Sequence, residues 1–115
     1  MSGRFAKQDR LVRKADYAAV FKQAKRDQGP FFLVLYRANG LNRARLGLAV
    51  SRKVSLLAVH RNRIKRCLRE SFRLNKEKLR GYDVVVIARP SAKNAEQKKL
   101  ASSIQRHWHH ISGDA

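Results

Sequence analysis

Acidic residues and cysteine are scarce in this chain of 115 residues, and long apolar runs are absent. Only eight Asp and Glu oppose 27 Lys and Arg. The single cysteine, Cys67, excludes an intramolecular disulfide and suits a reducing compartment, so we expect a cytoplasmic protein. No apolar run approaches the roughly 18–20 residues that cross a bilayer, and the first ten residues lack the apolar stretch of a secretory signal.

The excess of cations gives a formal net charge of +19. An isolated domain with this charge repels itself, so a polyanionic partner that releases counterions on binding is the simplest explanation. An anionic membrane is the weaker alternative, because the basic residues are spread through segments predicted to fold. The length predicts one RNA-binding domain over residues 1–115, with residues 1–10 flexible.

Apolar periodicity predicts an α+β sandwich with the order α-β-β-α-β-α. The helices are expected at residues 14–25, at 57–75 and near the C-terminus, where Leu100, Ile104, Trp108 and Ile111 share a face. The first two strands, residues 31–37 and 45–53, are expected to pair as an antiparallel hairpin across an Asn39-Gly40 turn. The third, YDVVVIA at residues 82–88, is apolar enough to be buried on both faces.

The second predicted strand has a large and a small face. Leu46, Leu48 and Val50 alternate with a set of small residues, which are Gly47, Ala49 and Ser51. We expect the large set to face a core. The small set leaves space for another backbone or for a ligand.

The central helix carries a strip of cations. At about 100° per residue, one face collects Asn62, Lys65, Arg66, Arg69 and Arg73, and the opposite face collects Ile64, Cys67, Leu68 and Ser71. Neighbours on the strip lie about 5–6 Å apart, which is comparable to the phosphate spacing of a nucleic-acid strand. A solvated face is the alternative, but such faces usually mix signs. Glu70 is expected to lie to the side and not to neutralise the strip.

Two motifs in this order closely resemble the signature of the bacterial ribonuclease P proteins. They are RLGLAVSRK at residues 45–53 and HRNRIKR at residues 60–66. Supporting similarities, such as Asp16-Tyr17 followed by Val20-Phe21, extend the resemblance over about 95 residues. It implies a fold like the second domain of ribosomal protein S5, with a left-handed βαβ crossover that general topology rules disfavour.

The resemblance also implies two RNA-binding regions. The catalytic RNA subunit is expected to contact the central helix, and the 5′ leader of precursor tRNA is expected to bind a cleft between the first helix and the sheet. By position, the RNA-subunit contacts are Arg61, Asn62, Arg63, Lys65, Arg66, Arg69 and Arg73. The leader-binding candidates are Tyr17, Phe21, Phe32, Val34, Tyr36, Ser51, Arg52 and Lys53.

Aromatic faces and a cationic groove suit a single strand that is held with little base reading. Core packing is an equal alternative for Tyr17, Phe21 and Phe32 taken singly, whereas the hydroxyl of Tyr36 favours the surface. The family typically has Phe where this chain has Tyr17, and this change keeps the aromatic face.

No catalytic or metal-binding residue is predicted in this chain, because its carboxylates are scattered. The resemblance implies endonucleolytic cleavage by the RNA subunit with Mg²⁺ that the RNA mainly binds. For His107, His109 and His110 a surface or RNA-contacting role is favoured over a metal site. Neither a membrane nor DNA is expected as a partner. Composition alone would allow a ribosomal or RNA-chaperone protein, but the paired motifs argue against it, and a DNA-binding module is the third class. The helix-turn-helix pair that such a module needs is not predicted.

Overall fold

The computed structural model of the chain describes residue 10 and residues 14–113, except for the side chains of residues 14–16 and 19. The elements are α1 (Lys14–Gln23), β1 (Lys25–Gln28), β2 (Phe32–Ala38), β3 (Arg45–Ala49), α2 (Ala58–Asn75), β4 (Tyr82–Ala88), a short 3₁₀ helix (Pro90–Asn94) and α3 (Gln97–Gly113). The predicted flexibility of residues 1–10 concerns residues that, apart from Arg10, lie outside this description. Within it, no helix has the length and apolar character needed to cross a membrane.

The four strands form one mixed sheet in the order β1-β2-β4-β3. The predicted hairpin of β2 with β3 is wrong, because β4 lies between them, antiparallel to β2 and parallel to β3. Val84, Val85 and Val86 are fully buried, which confirms the prediction for this strand. A strand covered on both faces belongs in the middle of a sheet. Helix α2 therefore forms a crossover between β3 and β4, and its left-handed sense stays a prediction.

Strand β1 is the element that the apolar pattern does not reveal. It pairs only with β2, so it is an edge strand, and its sequence KRDQ is mostly exposed. Backbone hydrogen bonds to β2 suffice to hold such a strand, and no apolar alternation is needed. The order of elements is therefore α-β-β-β-α-β-α, with one strand more than the pattern predicts.

The sheet has helices on both faces. The larger core packs α2 and α3 on one face, and it includes the fully buried Phe72 and Trp108. The predicted buried face of α3 is confirmed, since Leu100, Ile104, Trp108 and Ile111 have no exposed surface. On the other face, α1 buries Val20 against Leu35 and Val85. The two faces thus support two separate surfaces: the outer side of α2, and the sheet beside α1.

Asp83 ties three strands together at one end of the sheet. Its carboxylate is fully buried and accepts two hydrogen bonds of 2.8 Å from the guanidinium of Arg45. Asn39 donates a third bond of 3.0 Å, and Arg37 on β2 lies 3.6 Å away. A buried carboxylate is tolerated because it is compensated in this way, so the cluster fixes β2, β3 and β4 relative to one another.

Candidate nucleic-acid interfaces

The solvent side of α2 carries cations, some of which pair with no carboxylate of the described residues. Ile64, Cys67 and Leu68 are buried against the sheet, as predicted. On the other side, Asn62, Arg66, Arg69, Glu70 and Arg73 line a shallow groove. Within the described part of the chain, neither Arg66 nor Arg69 pairs with a carboxylate. The helix thus presents open guanidinium groups on a rigid support.

Two arginines beside this strip also hold the protein's own backbone. The guanidinium of Arg61 donates to the carbonyl oxygens of Ser55 and Leu56 at 2.9 and 3.0 Å. That of Arg63 donates to the carbonyl of Lys93 at 3.1 Å, which connects α2 to the 3₁₀ helix. A carbonyl carries no net charge, so both cations keep their full charge while their positions are restrained.

Arg73 differs from the rest of the strip. It pairs with Glu70, one turn earlier on α2. This pair lowers the pKa of Glu70 and raises that of Arg73, chiefly through their side-chain hydrogen bond. The prediction that Glu70 leaves the strip unneutralised is therefore wrong at its C-terminal end, because an acidic residue three positions away on a helix lies within reach of the arginine. The uncompensated part of the strip ends at Arg69.

On the opposite face of the sheet, Tyr17 occupies the space left by a glycine. A Cβ atom placed on Gly47 would lie 2.7 Å from the Tyr17 ring, so this close approach requires glycine. The small face of β3 thus leaves room, as predicted, and the occupant is this chain's own α1. Burial raises the pKa of the Tyr17 hydroxyl, while a hydrogen bond with the backbone of Leu48 acts in the opposite direction.

Three of the predicted leader-binding residues face the side of the sheet away from α1. Phe32 and Val34 have no exposed surface and belong to the core under α2 and α3, so the prediction that they line a cleft beside α1 is wrong. Tyr36 shares their face, is 8% exposed and packs edge-on against Tyr82. It borders a cavity at the end of the sheet, whose lining also includes Gln23, the last residue of α1, and Lys25 of β1.

The α1 side of β2 instead presents Leu33 and Leu35. Leu33 pairs with Ile87, which in turn pairs with Ala49, so these three residues form a row across β2, β4 and β3. Leu33 and Ile87 are only half-buried and Ala49 is exposed. The run FFLVLYR is apolar on both faces, so its alternation does not show which face lies toward α1. The small residues of β3 are the signal that could have identified that face.

Other predicted leader-binding residues are exposed on α1 and in the turn that follows β3. Phe21 follows the buried Val20 on α1 and leaves 56% of its surface exposed. Ser51, Arg52 and Lys53 are exposed in the turn that follows β3, where the Ser51 hydroxyl accepts a hydrogen bond of 3.2 Å from the backbone N–H of Lys53. We use the name leader groove, after the prediction, for the row of Leu33, Ile87 and Ala49 together with the exposed Phe21 of α1 and the turn that follows β3.

The histidines of α3 divide between interior and surface. His107 is buried and its Nδ1 lies 2.7 Å from the Asp27 carboxylate of β1, while the exposed His110 lies 3.3 Å from it. Burial lowers the pKa of His107, against the opposing effect of Asp27. The predicted surface role is therefore wrong for His107, which fastens the edge strand to α3. In residues 10 and 14–113, no three His, Cys, Asp or Glu side chains are arranged to hold a metal ion.

Comparison with known proteins is consistent with these features. The sequence model of the Ribonuclease P family matches residues 5–112. The Ribonuclease P protein component of Aliivibrio salmonicida is 43% identical over 108 residues, which cover 94% of this chain and 92% of that protein. That of Chromobacterium violaceum is 40% identical over 102 residues, covering 89% and 84%.

Solved structures agree in fold as well. The RNase P protein of Staphylococcus aureus, in a mutant with defective mRNA degradation activity, superposes with a TM-score of 0.84 at 32% identity and covers 93% of this chain and 90% of its own. The RNase P protein of Thermotoga maritima gives 0.79 at 34% identity, covering 89% and 96%. On the family match, the close relatives and the shared fold, the chain belongs to the ribonuclease P protein family, whose general role is in tRNA processing.

Proposed function

We propose that this chain is the protein subunit of ribonuclease P and works in the bacterial cytoplasm. It binds the catalytic RNA subunit along α2 and the 5′ leader of precursor tRNA in the leader groove, and it thereby assists endonucleolytic removal of the leader. The observation that carries the proposal is the uncompensated strip of cations on α2, at Arg66 and Arg69.

The strip supports binding of a folded RNA because its charges repel one another in the isolated protein. A polyanion relieves this repulsion and releases its condensed counterions on contact, which is a large favourable contribution at low salt. Arginine also offers a planar fork that can donate two hydrogen bonds to one phosphate. The hydrogen bonds of Arg61 and Arg63 to backbone carbonyls restrain their side chains before binding, so less conformational entropy is lost on contact.

The leader groove has the chemistry expected for an unpaired strand. Phe21 offers an exposed aromatic face for base stacking, and Leu33 and Ile87 provide an apolar floor. Arg52 and Lys53 supply exposed positive charge for the phosphates. Stacking tolerates any base, because every base has a π face, so a groove of this kind suits leaders of unrelated sequence.

Four carboxylates of the described residues are already engaged within the protein. Asp27 binds two histidines, Glu70 and Glu77 each pair with an arginine, and Asp83 is buried among cations. We therefore assign the magnesium-dependent cleavage to the RNA subunit. The part of this protein is to hold the leader and to screen the repulsion between the phosphates of two RNAs.

Reconstitution tests the proposal. Precursor tRNA and a bacterial ribonuclease P RNA are incubated at limiting Mg²⁺ with and without this protein, and cleavage at the mature 5′ end is followed. We expect cleavage only with the protein, and recovery of protein-free cleavage at high Mg²⁺. Cleavage that is indifferent to the protein at every Mg²⁺ concentration would favour a general RNA-chaperone role.

Leader binding has its own test. Phe21→Ala removes an exposed ring, so the fold should survive, and the affinity of the reconstituted enzyme for precursor tRNA should fall about fivefold or more, as for the loss of one base–aromatic stack. Affinity for mature tRNA should not change, and Phe21→Tyr should restore binding because it keeps the ring. Equal losses for precursor and mature tRNA would contradict the leader groove.

A further inference from the structure

Three large apolar side chains are exposed to solvent at the start of α2. Leu56, Leu57 and Val59 are 81%, 57% and 67% exposed. We call these three residues the apolar ledge. Single exposed apolar residues are common on protein surfaces, but three among four consecutive residues are unusual and cost hydration free energy as long as they stay uncovered.

The backbone under the ledge is held in place. The Ser55 hydroxyl accepts a hydrogen bond of 3.2 Å from the N–H of Leu57 and lies 3.1 Å from Nδ1 of His60. Arg61 donates to the carbonyls of Ser55 and Leu56 from one turn inside the helix. Because these bonds satisfy the polar groups of the turn, the leucines are presented outwards on a fixed backbone and do not belong to a loose loop.

The ledge continues the cationic strip. Val59 precedes Asn62, Arg66 and Arg69 by three, seven and ten residues, which is the spacing of one helix face. A partner that lies along the strip therefore reaches Val59 next, followed by the two leucines that lead into the helix. Val59 thus extends the face of the strip, and Leu57 and Leu56 come directly before the helix in the chain.

The charge of the molecule decides which partner covers this surface. A second copy of the chain would bring two cationic strips together in a molecule of net charge +19, and the like charges would oppose pairing. A polyanion meets no such opposition. A folded RNA also exposes apolar surface, on the faces of unstacked bases and the C–H edges of ribose.

We propose that the apolar ledge contacts unstacked nucleotides of the ribonuclease P RNA and adds a salt-independent contribution to binding at the end of the cationic strip. This inference rests on the proposed function of α2. It predicts that the two parts of the surface differ in their response to salt, since counterion release depends on ionic strength and burial of apolar area does so only weakly.

The test is the affinity of the ribonuclease P RNA for Leu56→Ser/Leu57→Ser and for Val59→Ser over a range of salt concentrations. All three positions are exposed, so folding should be unaffected. We expect the dissociation constant of the double variant to rise about tenfold at every salt concentration, with an unchanged slope of log K against log salt. The matched control is Leu74→Ser, whose side chain is 68% exposed near the other end of α2, and it should bind normally.

Unchanged affinity of the ledge variants at all salt concentrations would overturn the inference. Self-association through the ledge would also overturn it. In that case the sedimentation coefficient of the wild-type protein would depend on concentration, the double variant would abolish this dependence, and RNA affinity would stay unaltered. Failure of the proposed function looks different: the wild-type protein would then bind the ribonuclease P RNA no better than an unrelated RNA of equal length. A parallel shift of the salt plot supports the ledge, and a change in its slope contradicts it.

Discussion

Replacing Arg66 and Arg69 together with alanine removes two exposed cations that no described carboxylate compensates. If each neutralises one phosphate, the slope of log K against log salt should become shallower by about 1.4–1.8, at roughly 0.7–0.9 per contact. Between 50 and 200 mM salt, the wild-type protein should then lose about 7- to 12-fold more affinity for the RNA subunit than the variant loses. The physical reason is that fewer counterions are released when the variant binds.

Filter binding or fluorescence anisotropy with the ribonuclease P RNA, at five or more salt concentrations, measures both slopes. The matched control is Lys78→Ala/Arg80→Ala, which also removes two charges from exposed positions just beyond α2, where Arg80 is already paired with Glu77. Its slope should stay close to that of the wild type. An equal change of slope in both variants would mean that net charge alone governs binding, and an unchanged slope for Arg66 and Arg69 would remove them from the interface.

Three further predictions concern the scaffold. Asp83→Asn leaves Arg45 without its carboxylate partner and should lower the free energy of unfolding by about 2–4 kcal/mol in urea denaturation, near the low end for buried pairs because the arginine is partly exposed. Burial lowers the pKa of His107 from its ordinary value of 6.5, so the folded state binds a proton less readily than the unfolded chain. The free energy of unfolding should therefore be highest above pH 6.5 and should fall as the pH drops below that value. The His107→Gln variant should lose this part of the pH dependence. Gly47→Ala should displace Tyr17 and cost about 1–3 kcal/mol.

Each has a control. Glu77→Gln breaks an exposed ion pair and should change the free energy of unfolding by less than about 0.5 kcal/mol. If Asp83→Asn changes it by no more than Glu77→Gln does, the buried cluster does not contribute as argued. His109→Gln alters an exposed histidine and should keep the wild-type pH dependence; the reasoning fails if His107→Gln keeps it too. Adding Tyr17→Ala to Gly47→Ala should recover part of the loss, and purely additive effects would show that the two residues do not clash.

Local chemistry explains why much of the candidate site is visible in the sequence. The cations of α2 and the apolar residues opposite them follow from a period of 3.6, which depends only on the helix itself. The fully buried positions of α3 follow from the same rule. The pairing of Arg73 with Glu70 is a limit of this reasoning: a helical pattern shows that two residues are neighbours, while their side-chain conformations decide whether a charge is neutralised.

The side of β2 that faces α1 could not be predicted in the same way. Phe32 and Val34 lie on one face and Leu33 and Leu35 on the other, and both sets are apolar because helices cover the sheet on both sides. A period of two separates the faces without saying which helix each one meets. Strand β1 is hidden for a related reason, since its partner supplies backbone hydrogen bonds that leave no trace in side-chain polarity.

By itself, the amino-acid sequence determined the charge of this protein, its helices, its apolar strands and the cationic strip of α2, because each depends on residues close together in the chain. Only the tertiary structure decided that β4 separates β2 from β3, that Tyr17 lies on Gly47, and that Leu33 and Ile87 lie side by side on the α1 face of the sheet. These features join residues that are distant in sequence. They are selected by the packing of whole layers against one another, which no local pattern encodes.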